Sequence, residues 1–225
     1  MKRIGFLLKV KDDRALQADY KKHHREVWPD MLAALRRHGW RNFSLFMRPD
    51  GLMFGYAEVP VSLQRCLDGM AKEEPNLRWQ EMMKPFFEIP QGARPDQSMI
   101  ELEEVFYMQG AGYSRARVTR ACLQLKVKSD AYSLAEYRRT HAAVWPEMIE
   151  SLTRNGWSNY SIWTRPDGTI YLYSELWQDP VKAQKTHSAE DASKRWSEYM
   201  KPLFEAGPDG VTGRPAVMEE VFHTD

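Results

Sequence analysis

Apolar and polar positions run through this chain in two rhythms, and each rhythm occurs twice. "IGFLLKV" (Ile4–Val10) alternates in the manner of a half-buried strand, and "NFSLFM" (Asn42–Met47) and "LMFGYAEV" (Leu52–Val59) read as two more strands. The four residues between the latter two, "RPDG", form a hairpin turn: proline presets one dihedral and glycine supplies the left-handed position. Between the first and second strands, Tyr20, His24, Val27, Met31 and Leu35 recur in three- and four-residue steps, which places them on one helical face. Asp12, and Ser129 further on, are placed to cap the helix that follows each first strand. Pro29 must kink or restart that helix. A helical stretch from about Ser62 to Phe87, broken near Pro75, then leads to a last strand, "IELEEVFYM".

The same order returns 117 residues later. That offset aligns Tyr20 with Tyr137, His24 with His141, Trp28 with Trp145, Asn42 with Asn159 and Trp79 with Trp196. "RPDG" and "MKP" also recur, and "EEVF" returns at Glu219 after Glu103, one residue short of the common offset. The chain is a tandem duplication, with a first domain at 1–108, a surface linker at 109–117 containing "QGAGYSRAR", and a second domain at 118–225. Each copy reads βαββαβ, the α+β ferredoxin-like arrangement in which helices cover one face of an antiparallel sheet. The bare face needs a partner, since small domains bury apolar surface poorly alone. Two such units commonly pack sheet on sheet as a dimeric α/β barrel, so the duplication is expected to form that barrel within one chain.

Charge narrows the function classes. With 32 basic against 31 acidic residues, the chain lacks the footprint expected for nucleic acid or an anionic membrane. Charge returns at Lys9, too soon for a signal peptide, and no apolar run is long enough to span a bilayer. Two cysteines, Cys66 and Cys122, offer neither a disulfide framework nor a metal cluster. The default is a cytoplasmic protein of 225 residues with enough apolar content, 43%, to build cores.

Chemistry is concentrated in the phrase Tyr-x-x-x-His-x-x-x-Trp-Pro, which each copy carries once. Four-residue spacing puts Tyr20 with His24, and Tyr137 with His141, close enough to share one ligand. Histidine titrates near neutrality and tyrosine can relay a phenolic proton. The same pattern also describes core residues bonded to their own backbone. Trp79 and Trp196, beside Arg78 and Arg195, could stack against the apolar face of a ligand and hold its polar rim, or pack helix to sheet. Trp28 and Trp145 adjoin the helix-breaking prolines, and Asn42 and Asn159 begin strands where they could bond a hydroxyl or a turn. His23, His38, His187 and His223 lack counterparts in the other copy and receive no role.

Over nearly its full length, each half resembles the L-rhamnose mutarotase family. The Tyr-x-x-x-His-x-x-x-Trp-Pro phrase, the Arg-Trp pair before "MKP" and the closing "EVF" carry the resemblance. It implies a small homodimeric fold that interconverts the α and β anomers of a sugar without cofactor or metal. It also implies proton transfer by Tyr20 and His24 in one half, and by Tyr137 and His141 in the other. Here the duplicated chain would act as a monomer mimicking the homodimer, with room for further self-association. Gln80 and Ser197 stand where the family often has a second tryptophan, which leaves the sugar open: L-rhamnose or a related deoxy or rare sugar. The alternatives are a cofactor-free cyclase or monooxygenase of the same fold acting on an aromatic or polyketide substrate, and a non-catalytic sugar-binding module. Both copies keep Tyr, His and the Arg-Trp pair while their neighbours differ, which predicts two competent pockets of unequal specificity.

Overall fold

A computed structural model describes residues 1–110, 117–207 and 210–225. Most of the expected linker, 111–116, therefore lies outside the described residues. The rest divides into two compact units, Met1–Leu102 with Glu219–Asp225, and Glu103–Met218.

In the first unit the chain runs β1 (Lys2–Lys9), α1 (Arg14–Arg25), α2 (Pro29–Arg37), β2 (Arg41–Met47), β3 (Leu52–Val59), α3 (Leu63–Met70), α4 (Glu74–Met83) and β4 (Ile100–Glu101). The helix cap sits one residue later than expected. Asp13, extended at φ −136° and ψ 118°, accepts hydrogen bonds from the amides of Ala15 and Leu16. Pro29 does restart the helix, as the first residue of α2, where its missing N–H costs nothing. At the β2–β3 turn, Gly51 has φ +83°, and a Cβ there would stand 2.3 Å from the Val10 carbonyl oxygen, so only glycine closes this hairpin without strain.

The second unit holds β5 (Glu103–Met108), β6 (Thr119–Lys126), α5 (Ala131–His141), α6 (Pro146–Arg154), β7 (Trp157–Thr164), β8 (Thr169–Leu176), α7 (Pro180–Ala189), α8 (Asp191–Met200) and the start of β9 (Ala216–Thr224). Its cap is Asp130, which accepts from the Ser133 amide, again one residue beyond the expected position.

The α+β class and the two ferredoxin-like units stand as read, but the last strand of each copy is divided between them. Ile100 and Leu7 pair where β4 lines the edge of β1, and the Leu102 amide still donates to the Gly5 carbonyl at 2.8 Å. From Glu103 onward the same run pairs instead with β7, Glu103 opposite Thr164 and Met108 opposite Tyr160. The second copy repeats the division: Ala216–Met218 pair with β6, then Glu219–Thr224 pair with β2. The strand order is thus β4-β1-β3-β2-β9 in the first unit and β9-β6-β8-β7-β5 in the second. Each ferredoxin-like sheet has an open edge at its second strand, and in each unit a segment of the other sequence copy satisfies that row of amides and carbonyls. Among the described residues no helix is long and apolar enough to cross a membrane.

Candidate active site

Local geometry around the paired histidines is nearly identical in the two units. Tyr20 and His24 lie one turn apart on α1, their rings stacked at 4.0 Å, and His24 Nδ1 donates to the Tyr20 carbonyl at 2.9 Å. Tyr137 and His141 on α5 repeat this at 4.1 and 2.9 Å. A carbonyl can only accept, so Nδ1 carries the ring proton, and Nε2 of each neutral imidazole is left as an acceptor on a side chain that lines a cavity. The backbone bond therefore orients the ring and does not consume its reactive nitrogen.

Tryptophans stand edge-on to these rings: Trp79 at 5.3 Å from His24, and Trp196 at 5.6 Å from His141. Trp28 and Trp145 pack edge-on against those tryptophans at 5.3 and 5.2 Å, as supports one layer back. A wall that sequence reasoning missed comes from the closing motifs. Phe222 lies 5.8 Å from His24 in the first unit, and Phe106 lies 6.1 Å from His141 in the second. Each phenylalanine reaches its unit on the divided last strand, so the repeated "EVF" was a signal of site residues as well as of a strand.

Burial sets the protonation states. Desolvation lowers both histidine pKa values to about 4, against which the bond to the backbone carbonyl is a smaller, opposing influence. Burial raises both tyrosines, so each phenol keeps its proton and remains a donor across the accessible pH range. The depressed values also bear on stability. An unfolded histidine protonates near pH 6.5 and a folded one only near 4, so the unfolded state binds more protons between those values. Stability should be complete above pH 6.5 and decline as pH falls to about 4, by roughly 3 kcal/mol per histidine. Replacing both with phenylalanine should flatten denaturant midpoints across that window. An unchanged slope would show that other groups drive the acid sensitivity.

Other expected site residues sit elsewhere. Arg78 and Arg195 are exposed surface clamps. Arg78 bonds Asp30 at 2.7 Å and Glu74 at 2.7 Å and covers the Trp28 ring; Arg195 bonds Glu147 at 3.1 Å and covers Trp145. They brace α2 to α4 and α6 to α8, and neither lines the cavities beside His24 and His141. Asn42 and Asn159 are bulge residues, at φ 45° and 40°, in the left-handed region that asparagine tolerates better than most side chains. Their amides donate to buried Glu58 and Glu175 at 3.0 and 2.7 Å, glutamates that also accept from Tyr56 and Tyr173.

The two cavities differ sharply in size, about 80 Å³ in the first unit and about 1030 Å³ in the second. A polar cluster closes the first. Asn76 donates to Asp96 at 3.2 Å, Gln80 donates to Asn76 at 3.1 Å, the Asp96 amide donates to Gln80 at 3.1 Å, and Arg94 bridges to Asp96 at 3.0 Å. This pins the segment carrying Pro95, Asp96 and Met99 over the cavity, where all three line it. The second copy has Ser193 and Ser197 in place of Asn76 and Gln80, and no aspartate at the position of Asp96, so this set of side chains does not recur. Ligand pockets usually begin near 300 Å³, so only the second is of ligand size. Two competent pockets of unequal specificity were expected, and the two cavities are unequal in size and lining. The second also gains a phenol, Tyr160, where the first has Phe43, and an imidazole, His187, where the first has Met70.

With this geometry in view, comparison with known proteins decides the family. The sequence profile of L-rhamnose mutarotase matches residues 3–108 and again 120–224. The chain belongs to the L-rhamnose mutarotase family. Members of this family are isomerases that interconvert sugar anomers. The L-rhamnose mutarotase of Oceanobacillus iheyensis is 35% identical over 109 residues, 48% of this chain and 99% of that protein. That of Lactiplantibacillus plantarum is 39% identical over 100 residues, 43% of this chain and 88% of its own. Each relative thus matches about half of this duplicated mutarotase-family chain. The fold is shared over the whole length with two solved structures described as candidate monooxygenases. One, from Lactobacillus acidophilus, is 12% identical at TM-score 0.54, covering 99% of this chain and 96% of that one. The other, from Fusobacterium nucleatum, is 11% identical at TM-score 0.55, covering 97% and 90%. At such identity they speak to fold alone.

Proposed function

We propose that this chain is a cofactor-independent mutarotase for L-rhamnose or a closely related deoxy sugar, and that it turns over in the second unit. The observation that carries this is the His141 imidazole, fixed through Nδ1 and presenting Nε2 on a cavity of ligand size. Nε2 takes the proton from the anomeric hydroxyl as the bond between C1 and the ring oxygen breaks. Tyr137, held protonated by burial, gives its phenolic proton to that leaving oxygen. The open-chain aldehyde rotates about the C1–C2 bond. Closure on the other face returns one proton from the sugar hydroxyl to the Tyr137 oxygen and the other from His141 to the new anomeric oxygen. Every proton is restored and no electron leaves the sugar, so the cycle needs no cofactor. Trp196 supplies an apolar face for the C–H side of the ring, and Tyr160 a hydroxyl on the same wall. The duplicated chain takes the place of the family homodimer in this reading, each unit receiving its edge strand from the other copy.

Saturation-transfer NMR between the α and β anomeric protons of L-rhamnose tests the proposal directly. Catalysed exchange should rise with pH through an inflection near 4 and stay level across neutrality, because the neutral imidazole is the working form. Exchange no faster than in buffer would defeat the function, and an inflection near 6.5 would defeat the buried-histidine mechanism.

A further inference from the structure

Beyond His141 the second cavity is lined by Gln184, His187, Ser193 and Ser197 of α7 and α8, a polar arm whose counterpart in the smaller first cavity is lined by Leu67, Met70, Asn76 and Gln80. Its floor is His187, buried in the unit. Nδ1 of His187 lies 2.9 Å from Ser151 Oγ and Nε2 lies 3.3 Å from Ser193 Oγ, with the Trp157 ring beside it at 5.2 Å. In the first unit these three positions are Ala34, Met70 and Asn76. The fold is thus built without the polar trio in one unit, while in the other the two serines satisfy both ring nitrogens of His187 and the lining turns polar. Exposed Ser188 and Ser197 form the rim, with Gln184 and Lys194 beyond.

From this we infer that the second unit's site accepts a reducing disaccharide, its deoxyhexose ring at His141 and a second, neutral sugar residue in the His187 arm. The inference rests on the mutarotase reading and extends it to substrate class. A single ring fills only part of about 1030 Å³, the upper end of the range for pockets that enclose drug-sized ligands. Mutarotation requires a free anomeric centre at His141, so any extension must leave the ring from another carbon. The arm offers the hydroxyls of Ser188 and Ser197 and the Gln184 amide above a His187 ring held by Ser151 and Ser193. Its two lysines are balanced one turn back, Lys194 by Asp191 at 3.5 Å and Lys201 by Glu198 at 3.7 Å. Hydroxyl groups suit such a lining better than a carboxylate or sulfate.

The test compares exchange on L-rhamnose with exchange on rhamnosyl-rhamnose bearing a free reducing end, using the full chain. His187→Met installs the residue that the first unit carries, and Ser188→Gln, at an exposed rim position on α7, narrows the arm without touching the core. Each should lower kcat/KM for the disaccharide about tenfold or more, mainly through KM, while changing that for L-rhamnose less than about twofold. Thermal melts report whether His187→Met folds, and Ser188→Gln carries the test if it does not. Equal losses on both sugars, or an unchanged disaccharide KM in Ser188→Gln, would overturn the arm. Absence of exchange on either sugar by the unaltered chain would instead defeat the mutarotase reading, and the arm with it.

Discussion

His141→Ala should reduce catalysed anomer exchange by at least about a hundredfold, the usual size of a lost acid–base group, while His24→Ala leaves it within about twofold. The two histidines share their local geometry almost to the tenth of an ångström, so nothing in the motif predicts this asymmetry. It follows from access. The cavity beside His24 holds about 80 Å³, enough for a few waters at roughly 10–15 Å³ of such volume each, and the Asn76–Gln80–Asp96 cluster holds its cover in place. Anomer exchange by each single variant, with circular dichroism to confirm folding, decides between one site and two. Equal losses of about half from each variant would mean that both cavities open in solution. Complete loss from His24→Ala alone would assign the chemistry to the wrong unit. Replacing Asn76 and Gln80 by serine, as in the second copy, should then add exchange that depends on His24.

Removing Glu219–Asp225 should unfold the first unit, although these residues come from the end of the second sequence copy. They supply the partner strand for β2, with Phe43 opposite Thr224, Leu45 opposite Phe222 and Met47 opposite Glu219. They also place Val221 and Phe222 in the first unit's core, where Phe222 packs at 5.4 Å from Phe43. Phe222→Ala alone should cost about 3–5 kcal/mol, a large share of the 5–15 kcal/mol that typically holds a domain folded. Deleting the segment removes that side chain, Val221 and the β2 edge bonds together. Hydrogen exchange resolved by peptide should show protection lost in β1, β2 and β3. Val217→Ala, on the same strand but 74% exposed, should change nothing beyond a few tenths of a kcal/mol. Full protection of β1–β3 after the deletion would mean that the first unit does not depend on the exchanged strand.

The sequence by itself determined what depends on near neighbours. Helix restarts at Pro29 and Pro146, the Gly51 and Gly168 hairpins and the stacking of tyrosine on histidine all arise within a few residues, where steric limits and helical periodicity leave little choice. The duplication was equally plain, because it needs only an offset. Tertiary structure decided three things. The destination of each last strand was one: two copies with the same open edge satisfy the same local pattern whether the strand stays or is exchanged, and only the pairing of Glu103–Met108 with β7 and of Glu219–Thr224 with β2 selects exchange. The roles of Asn42, Asn159, Arg78 and Arg195 were another, since each bonds an acidic side chain 16 to 48 residues away, a distance along the chain over which periodicity carries no information. The last was which unit is open. Cavity volume is what remains after side chains from separate elements have packed, so about 80 against about 1030 Å³ is not legible from the motif: in the first unit Asn76 and Gln80 hold the Asp96 segment over the cavity, an arrangement that joins residues 16 to 20 positions apart.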